Sequence, residues 1–118
     1  MGPFSEGFGV RRPLRLLAYK LELDDKQVEQ LARILDELKT ERAQAAVDDR
    51  RSQSDFADAL SGEAFDIPKA AAAGDRRTDS AKRLRDAVVR ALQQIHAMLN
   101  PEQRSKLAYL IRTGVLAL

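Results

Sequence analysis

Two short segments with the same layout fix where two helices begin. Each contains an apolar residue, a capping residue, two further residues and a glutamine: Leu23-Asp24-Asp25-Lys26-Gln27 and Leu99-Asn100-Pro101-Glu102-Gln103. Asp24 and Asn100 are strong N-cap residues, and a glutamine three positions later can accept a hydrogen bond from the N–H of the cap, which completes a capping box. Pro101 suits the first helical position, where no N–H donor is needed. The sequence therefore predicts helices that begin directly after Asp24 and Asn100.

Between the two boxes the sequence predicts two long helices. Residues 24–61 contain no Pro or Gly, and a straight helix of that length would extend for about 55 Å. Asp66 is expected to cap a second long helix over residues 67–98, and Gly62 is expected to act as the C-cap of the first. A short turn between two long helices forces them into an antiparallel hairpin.

The remaining segments predict a short helix at each end of the hairpin. Residues 13–21 carry an apolar stripe after Pro13, and residues 101–113 carry another before Gly114. We therefore predict an all-α fold, a long antiparallel hairpin with short flanking helices at its base (a four-helix hooked hairpin). Residues 1–12 are expected to form a flexible leader and residues 13–118 a single domain.

Alanine and charged residues dominate the half of the hairpin near its turn. A lone helical hairpin of that composition is marginally stable, and burial against a second copy would stabilise it. We therefore expect a two-fold homodimer.

Composition excludes several classes of function. The chain has no Cys and a net charge of +2, with acids and bases interspersed, so we expect no disulfide, no nucleic-acid partner and no cofactor. His96 is the one histidine, and no catalytic or metal site is predicted, because a metal ligand would need partners that a single imidazole lacks. The neighbouring carboxylates Asp48 and Asp49 point about 100° apart on a helix and are expected on its solvated side. No apolar run is long enough to span a bilayer.

Arginines and one aromatic residue are the candidates for binding in the half of the hairpin near its turn. Antiparallel pairing places Arg50 and Arg51 at a height similar to that of Arg76 and Arg77, with Phe56 close to them. One interpretation is a solvated surface laced with salt bridges. The functional interpretation is a mixed basic and apolar surface that holds flexible client proteins loosely.

The boxes also resemble the paired L-T-x-x-Q motifs of the Spy/CpxP family of periplasmic proteins, which includes heavy-metal-resistance sensors of the CnrX and ZraP type. The second box, L-N-P-E-Q-R, is similar to the frequent L-T-P-E-Q-R, and Asp24 and Asn100 replace the Thr while keeping its capping role. The resemblance covers residues 13–113. We expect a structural capping role for the motif residues, which are Leu23, Asp24, Gln27, Leu99, Asn100, Pro101 and Gln103.

The resemblance implies a non-enzymatic, ATP-independent periplasmic chaperone or envelope-stress adaptor that binds unfolded proteins. The alternative that it implies is a metal-responsive sensor or regulator domain of a heavy-metal-resistance system, with a membrane-bound signalling partner. Metal-sensing members use several His, which weakens that alternative for a chain with His96 alone. A purely structural dimerisation hairpin is a third possibility. Family members are exported or membrane-tethered, so we expect any export signal or anchor to be absent from this chain.

Overall fold

A computed structural model describes residues 11–117 and shows four α-helices. They are α1 (Arg11–Lys20), α2 (Asp25–Ser61), α3 (Ile67–Met98) and α4 (Pro101–Arg112). Within the described residues there is no strand, and α2 and α3 pack together as a hairpin. The all-α helical hairpin predicted from the sequence is confirmed, and the two-fold dimer stays a prediction.

The helix boundaries lie close to those predicted. α2 and α4 begin directly after the two capping residues, whereas α1 begins at Arg11 rather than at Pro13. Proline is accommodated there because its missing N–H falls within the first turn of α1. Of the leader predicted at residues 1–12, residues 1–10 lie outside the described residues, and Arg11 and Arg12 belong to α1.

The chain divides into two compact units, which we name by their place in the sequence. The terminal unit comprises residues 11–39 and 88–117, and the central unit comprises residues 40–87. All four helices contribute to the core of the terminal unit, whose buried apolar residues are Leu17, Leu21, Leu31, Ile34, Ala91, Ile95, Leu99, Leu107, Leu110 and Leu116. The leucine and isoleucine side chains among them supply most of the buried apolar area.

Small and polar residues form the buried seam of the central unit. Ala59, Ala73 and Ser52 are fully buried, and Ser80 and Asp48 nearly so. Such side chains remove little apolar area from water, so the central unit gains less from burial than the terminal unit does. The burial of Asp48 corrects the sequence-based expectation that this carboxylate faces solvent. Its hydrogen-bond partners, described below, make that burial possible.

Left-handed backbone ends two of the helices. Among the described residues, positive φ occurs at Glu22 (53°) and Gly114 (81°). After α1, the N–H groups of Glu22 and Leu23 donate to the carbonyls of Tyr19 and Ala18, which is the Schellman arrangement. Gly62 directly follows the last residue of α2, as predicted, but its φ is not positive.

The chain beyond Gly114 turns back towards the core of the terminal unit. The N–H of Leu116 donates to the carbonyl of Leu110 at 3.0 Å, and the Leu116 side chain is buried. The apolar ending of the sequence is thus partly used inside the terminal unit. Across residues 11–117, no helix has the length and apolarity needed to cross a membrane.

Two glycine substitutions test this description because they should change stability in opposite directions. A Cβ at Gly74, inside α3, would meet no atom within 4 Å, so Gly74→Ala should stabilise the protein by about 1 kcal/mol through helix propensity. At Gly114 the space is equally open but φ is +81°, so Gly114→Ala should destabilise it by about 1 kcal/mol. Urea unfolding followed by circular dichroism measures both, and equal signs for the two variants would contradict the assigned backbone conformations.

Candidate functional site

Both capping boxes form in full. The N–H of Asp24 donates to Gln27 Oε1 at 3.0 Å, and the N–H of Gln27 donates to Asp24 Oδ1 at 2.8 Å. The second box repeats this geometry: the N–H of Asn100 donates to Gln103 Oε1 at 3.0 Å, and the N–H of Gln103 donates to Asn100 Oδ1 at 2.8 Å. Each box satisfies two of the N–H groups that the first turn of a helix leaves without partners.

The two box glutamines also bond to each other through their side-chain amides. Gln27 Nε2 donates to Gln103 Oε1 at 2.9 Å, and Gln103 Nε2 donates to Gln27 Oε1 at 3.2 Å. The residues are 76 positions apart in the sequence, and Gln103 is buried. We call this reciprocal pair the amide junction.

The second N–H of each amide closes the end of a preceding helix. Gln27 Nε2 donates to the carbonyl of Met98, the last residue of α3, at 2.9 Å. Gln103 Nε2 donates to the carbonyl of Leu21, directly after α1, at 3.2 Å. Because a primary amide has two donor hydrogens and an oxygen with two lone pairs, both glutamines make their full set of hydrogen bonds.

An arginine from the second box adds to the closure of α3. Arg104 Nε donates to the carbonyl of His96 at 3.0 Å, which gives another carbonyl in the last turn of α3 a partner. The junction and Arg104 thus tie together two helix starts and two helix ends with neutral amides and a single guanidinium. Such an arrangement has no nucleophile or general base, and its role is to hold the terminal unit together.

The chain belongs to the LTXXQ motif family. The family model matches residues 10–110, a span that includes both boxes, and this is the family of Spy/CpxP-like periplasmic proteins. The resemblance seen in the sequence is therefore confirmed. No curated protein and no solved structure matches the chain.

The geometry explains how this LTXXQ chain dispenses with the threonine of the motif. The cap requires a side-chain oxygen that accepts from the N–H of the glutamine, and Asp24 and Asn100 each supply one at 2.8 Å. The motif leucines lie where apolar contact is needed, since Leu99 is a buried core residue and Leu23 packs against the same core. No other side chain can replace the glutamine fully, because only a primary amide on a side chain of this length can accept two hydrogen bonds and donate two.

The sequence predicts both capping boxes but not the amide junction. The capping box accounts for the Oε1 atom of each glutamine and leaves the two amide hydrogens unassigned. A glutamine at the same position of both boxes, which flank the hairpin in the sequence, is the signal that could have suggested the pair.

The candidate client-binding residues lie in the central unit, at two different heights along the hairpin. Asp55 and Arg76 form an ion pair at 2.6 Å, whereas the guanidinium of Arg77 lies 5.3 Å from the centre of the Phe56 ring. These contacts show that residues 76–77 lie opposite residues 55–56. Residues 50–51 and 76–77 are therefore not at a similar height, contrary to expectation. Arg50 and Arg51, both exposed, lie more than one helical turn before residues 55–56 in α2, further from the hairpin turn.

Two carboxylates of α2 are held in the charged state by groups from both helices. The hydrogen bond from Gln44 Nε2, at 3.1 Å, is the main cause that lowers the pKa of Asp48, and it outweighs the opposing effect of burial. Ser80 and Arg83, whose Nη2 lies 3.0 Å from the carboxylate, lower this pKa further. The hydrogen bond from Arg76 likewise lowers the pKa of Asp55.

Two further observations concern other kinds of site. Over residues 11–117, no three His, Cys, Asp or Glu side chains come together in a group that could hold a metal ion. His96 is exposed at the end of α3. The described residues thus offer the amide junction and the central-unit surface as their candidates for function.

The amide junction can be tested by a double-mutant cycle on its two glutamines. Methionine has a similar shape but no amide, so Gln103→Met leaves the Asn100 N–H and the Leu21 carbonyl without their partner and should cost about 2–4 kcal/mol of unfolding free energy. Gln27→Met should also destabilise the protein. The double variant should lose less than the sum, with a coupling energy of about 1–2 kcal/mol measured by urea unfolding.

The matched control is Gln94→Met on an exposed position of α3, which should change stability by less than about 0.5 kcal/mol. Strictly additive losses at Gln27 and Gln103 would contradict the junction.

The lowered pKa values predict an acid-sensitive central unit. A carboxylate whose pKa is lower in the folded than in the unfolded state stabilises the fold above its ordinary pKa of 3.8, and this stabilisation is lost as the pH falls through the lowered value. Hydrogen-exchange protection factors of central-unit amides should therefore decrease at acid pH. The decrease should be smaller in Asp48→Asn, and it should be unchanged in Asp49→Asn at the exposed neighbour. A pH dependence that survives replacement of both Asp48 and Asp55 would contradict this assignment.

Proposed function

We propose that this LTXXQ protein is a non-enzymatic, ATP-independent chaperone or stress adaptor of the periplasm that binds unfolded proteins. Family membership supports the general class, since the family consists of Spy/CpxP-like periplasmic proteins. The observation that carries the proposal within this chain is the surface of the central unit, on which both large apolar side chains and arginines are exposed.

The large apolar residues of this surface are not part of the buried seam between α2 and α3. Val47, Leu60, Phe65 and Ile67 are exposed large apolar residues of the central unit. Contiguous exposed apolar patches mark interaction surfaces, and Leu60, Phe65 and Ile67 lie close together in the sequence at the hairpin turn. Because they are few, they suit shallow contact with many sequences better than a deep pocket for one ligand.

The charged part of the surface supplies attraction at longer range. Arg50 and Arg51 are exposed on α2, and Arg77 lies over the ring of Phe56, so that cationic and apolar groups present themselves together. Arg76, by contrast, is engaged by Asp55 and is the least available of the candidate arginines. Electrostatic attraction speeds encounter, and apolar contact then holds the client.

The test is suppression of aggregation of reduced α-lactalbumin at stoichiometric amounts of this protein without ATP. The wild-type protein should suppress light scattering, and Arg50→Gln/Arg51→Gln should weaken this effect by about threefold through loss of charge attraction. The control Arg33→Gln/Arg90→Gln removes the same charge from exposed positions of the terminal unit and should behave like wild type.

Two results would count against the proposal. Absence of any suppression by the wild-type protein across several clients would refute it. Equal loss in the two double variants would show that net charge matters and the central-unit surface does not.

The proposed location and assembly follow the same family. We propose export to the periplasm and a homodimer as the working state. Sedimentation velocity over a range of concentrations tests the dimer, and a monomer at all concentrations would contradict it.

A further inference from the structure

Three large apolar side chains are exposed where the hairpin turns. Leu60, Phe65 and Ile67 are 72%, 55% and 67% exposed. Together with the acidic residues Asp58, Glu63 and Asp66 they form what we call the turn surface. None of the arginines assigned to client binding belongs to it.

A backbone hydrogen bond fixes the position of these side chains relative to one another. The N–H of Asp66 donates to the carbonyl of Ala59 at 3.1 Å, which closes the turn. Leu60 and Phe65 are the first and last residues inside this closed loop, and Ile67 directly follows it. Each of the three residues is therefore the direct sequence neighbour of one of the two residues joined by this hydrogen bond, which keeps the three close together.

Asp66 also holds the start of α3. Its Oδ1 accepts from the N–H of Lys69 at 3.1 Å, which makes it the N-cap of that helix. The apolar groups are thus carried on a closed turn with a capped helix directly behind it. A surface of this kind is ordered before it meets a partner, which lowers the entropic cost of binding.

The charge around the turn is negative. No Lys or Arg occurs in residues 52–68, whereas Asp55, Asp58, Glu63 and Asp66 do. The next basic residue, Lys69, acts electrostatically on Asp55, itself already paired with Arg76. The turn surface consequently combines an apolar centre with the carboxylates of Asp58, Glu63 and Asp66, which form no ion pair with a described residue. Their charge is opposite to that of Arg50 and Arg51.

We propose that the turn surface is a second docking site, which binds extended segments that carry both cationic and apolar side chains, in unfolded client proteins. This rests on the proposed function for the identity of the client. Charge complementarity selects the occupant: a segment rich in Lys or Arg pairs with the carboxylates while its apolar side chains cover Leu60, Phe65 and Ile67. Acidic segments are repelled here and are left to the arginine-bearing surface.

The experiment measures binding of two synthetic peptides by fluorescence anisotropy. Both peptides contain leucine and glycine–serine spacers, and they differ only in carrying lysine or glutamate at the charged positions. In the Arg50→Gln/Arg51→Gln background, which removes cationic groups that would attract the glutamate peptide, the protein should bind the lysine peptide about tenfold more tightly than the glutamate peptide. The variant Leu60→Ser/Phe65→Ser/Ile67→Ser should lose about tenfold in affinity for the lysine peptide, because the apolar contact is removed.

Two further variants separate this site from general surface effects. Val89→Ser/Tyr109→Ser removes comparably exposed apolar groups (59% and 63%) from the terminal unit and should leave peptide affinity unchanged. The variant Asp58→Asn/Glu63→Gln/Asp66→Asn removes the charges but keeps a capping oxygen at the start of α3, because asparagine caps a helix about as well as aspartate does. It should abolish the preference for lysine over glutamate.

Each of the other outcomes has a definite meaning. Unchanged lysine-peptide affinity in the turn-surface variant would overturn the proposal, and so would a shift from dimer to monomer in that variant, since the surface would then bind a second copy. The aggregation assay distinguishes the two proposals: suppression by the wild type without peptide binding refutes the turn surface alone. Lysine-peptide binding at the turn without suppression refutes the chaperone function and leaves the turn as a binding site for basic, apolar segments.

Discussion

The terminal unit depends on one reciprocal hydrogen-bonded pair, the side-chain amides of Gln27 and Gln103. Each amide completes its own capping box, bonds to the other amide and closes the end of a helix from the opposite part of the chain. A glutamate could accept these bonds but could not donate to the carbonyls of Met98 and Leu21, and it would bring a charge into a buried place. The interaction is therefore specific for glutamine at both positions, and glutamine is the last residue of the motif that gives the family its name.

The two units use different physical means to pack two helices together. The terminal unit buries leucine and isoleucine from four helices around the amide junction. The central unit joins α2 and α3 through a seam of Ala and Ser flanked by the Asp48–Arg83 and Asp55–Arg76 ion pairs. Ser52 Oγ in this seam is buried without a hydrogen-bond partner, which is a cost that an apolar seam would avoid. Larger apolar residues of the central unit are left exposed.

The sequence predicted most of the fold because its helix signals are local. Capping residues, the absence of breakers and the position of Gly114 determine boundaries without reference to tertiary contacts, and α2, α3 and α4 begin where these signals place them. The failures concern interactions between distant residues. Asp48 is buried because Gln44, Ser80 and Arg83 surround it, and no spacing rule on α2 alone reveals that. The left-handed turn at Glu22 was missed because a non-glycine residue carries it.

The candidate site was predicted in part. Asp24, Gln27, Asn100 and Gln103 form capping hydrogen bonds. The pairing of Gln27 with Gln103, by contrast, depends on how the hairpin brings distant parts of the chain together. The candidate arginines are residues of the central unit, yet the contacts of Arg76 and Arg77 with residues 55 and 56 separate them from Arg50 and Arg51. Register between helices is set by packing over their whole length, and an uncertainty of one turn moves a side chain by about 5 Å.

The most direct test of the amide junction is NMR spectroscopy of the side-chain amides of Gln27 and Gln103. We predict a nuclear Overhauser effect between the two amide groups and slow exchange of their Nε2 hydrogens with solvent, compared with the exposed amides of Gln53 and Gln94. Exchange as fast as at those exposed glutamines, with no Overhauser effect between Gln27 and Gln103, would contradict it.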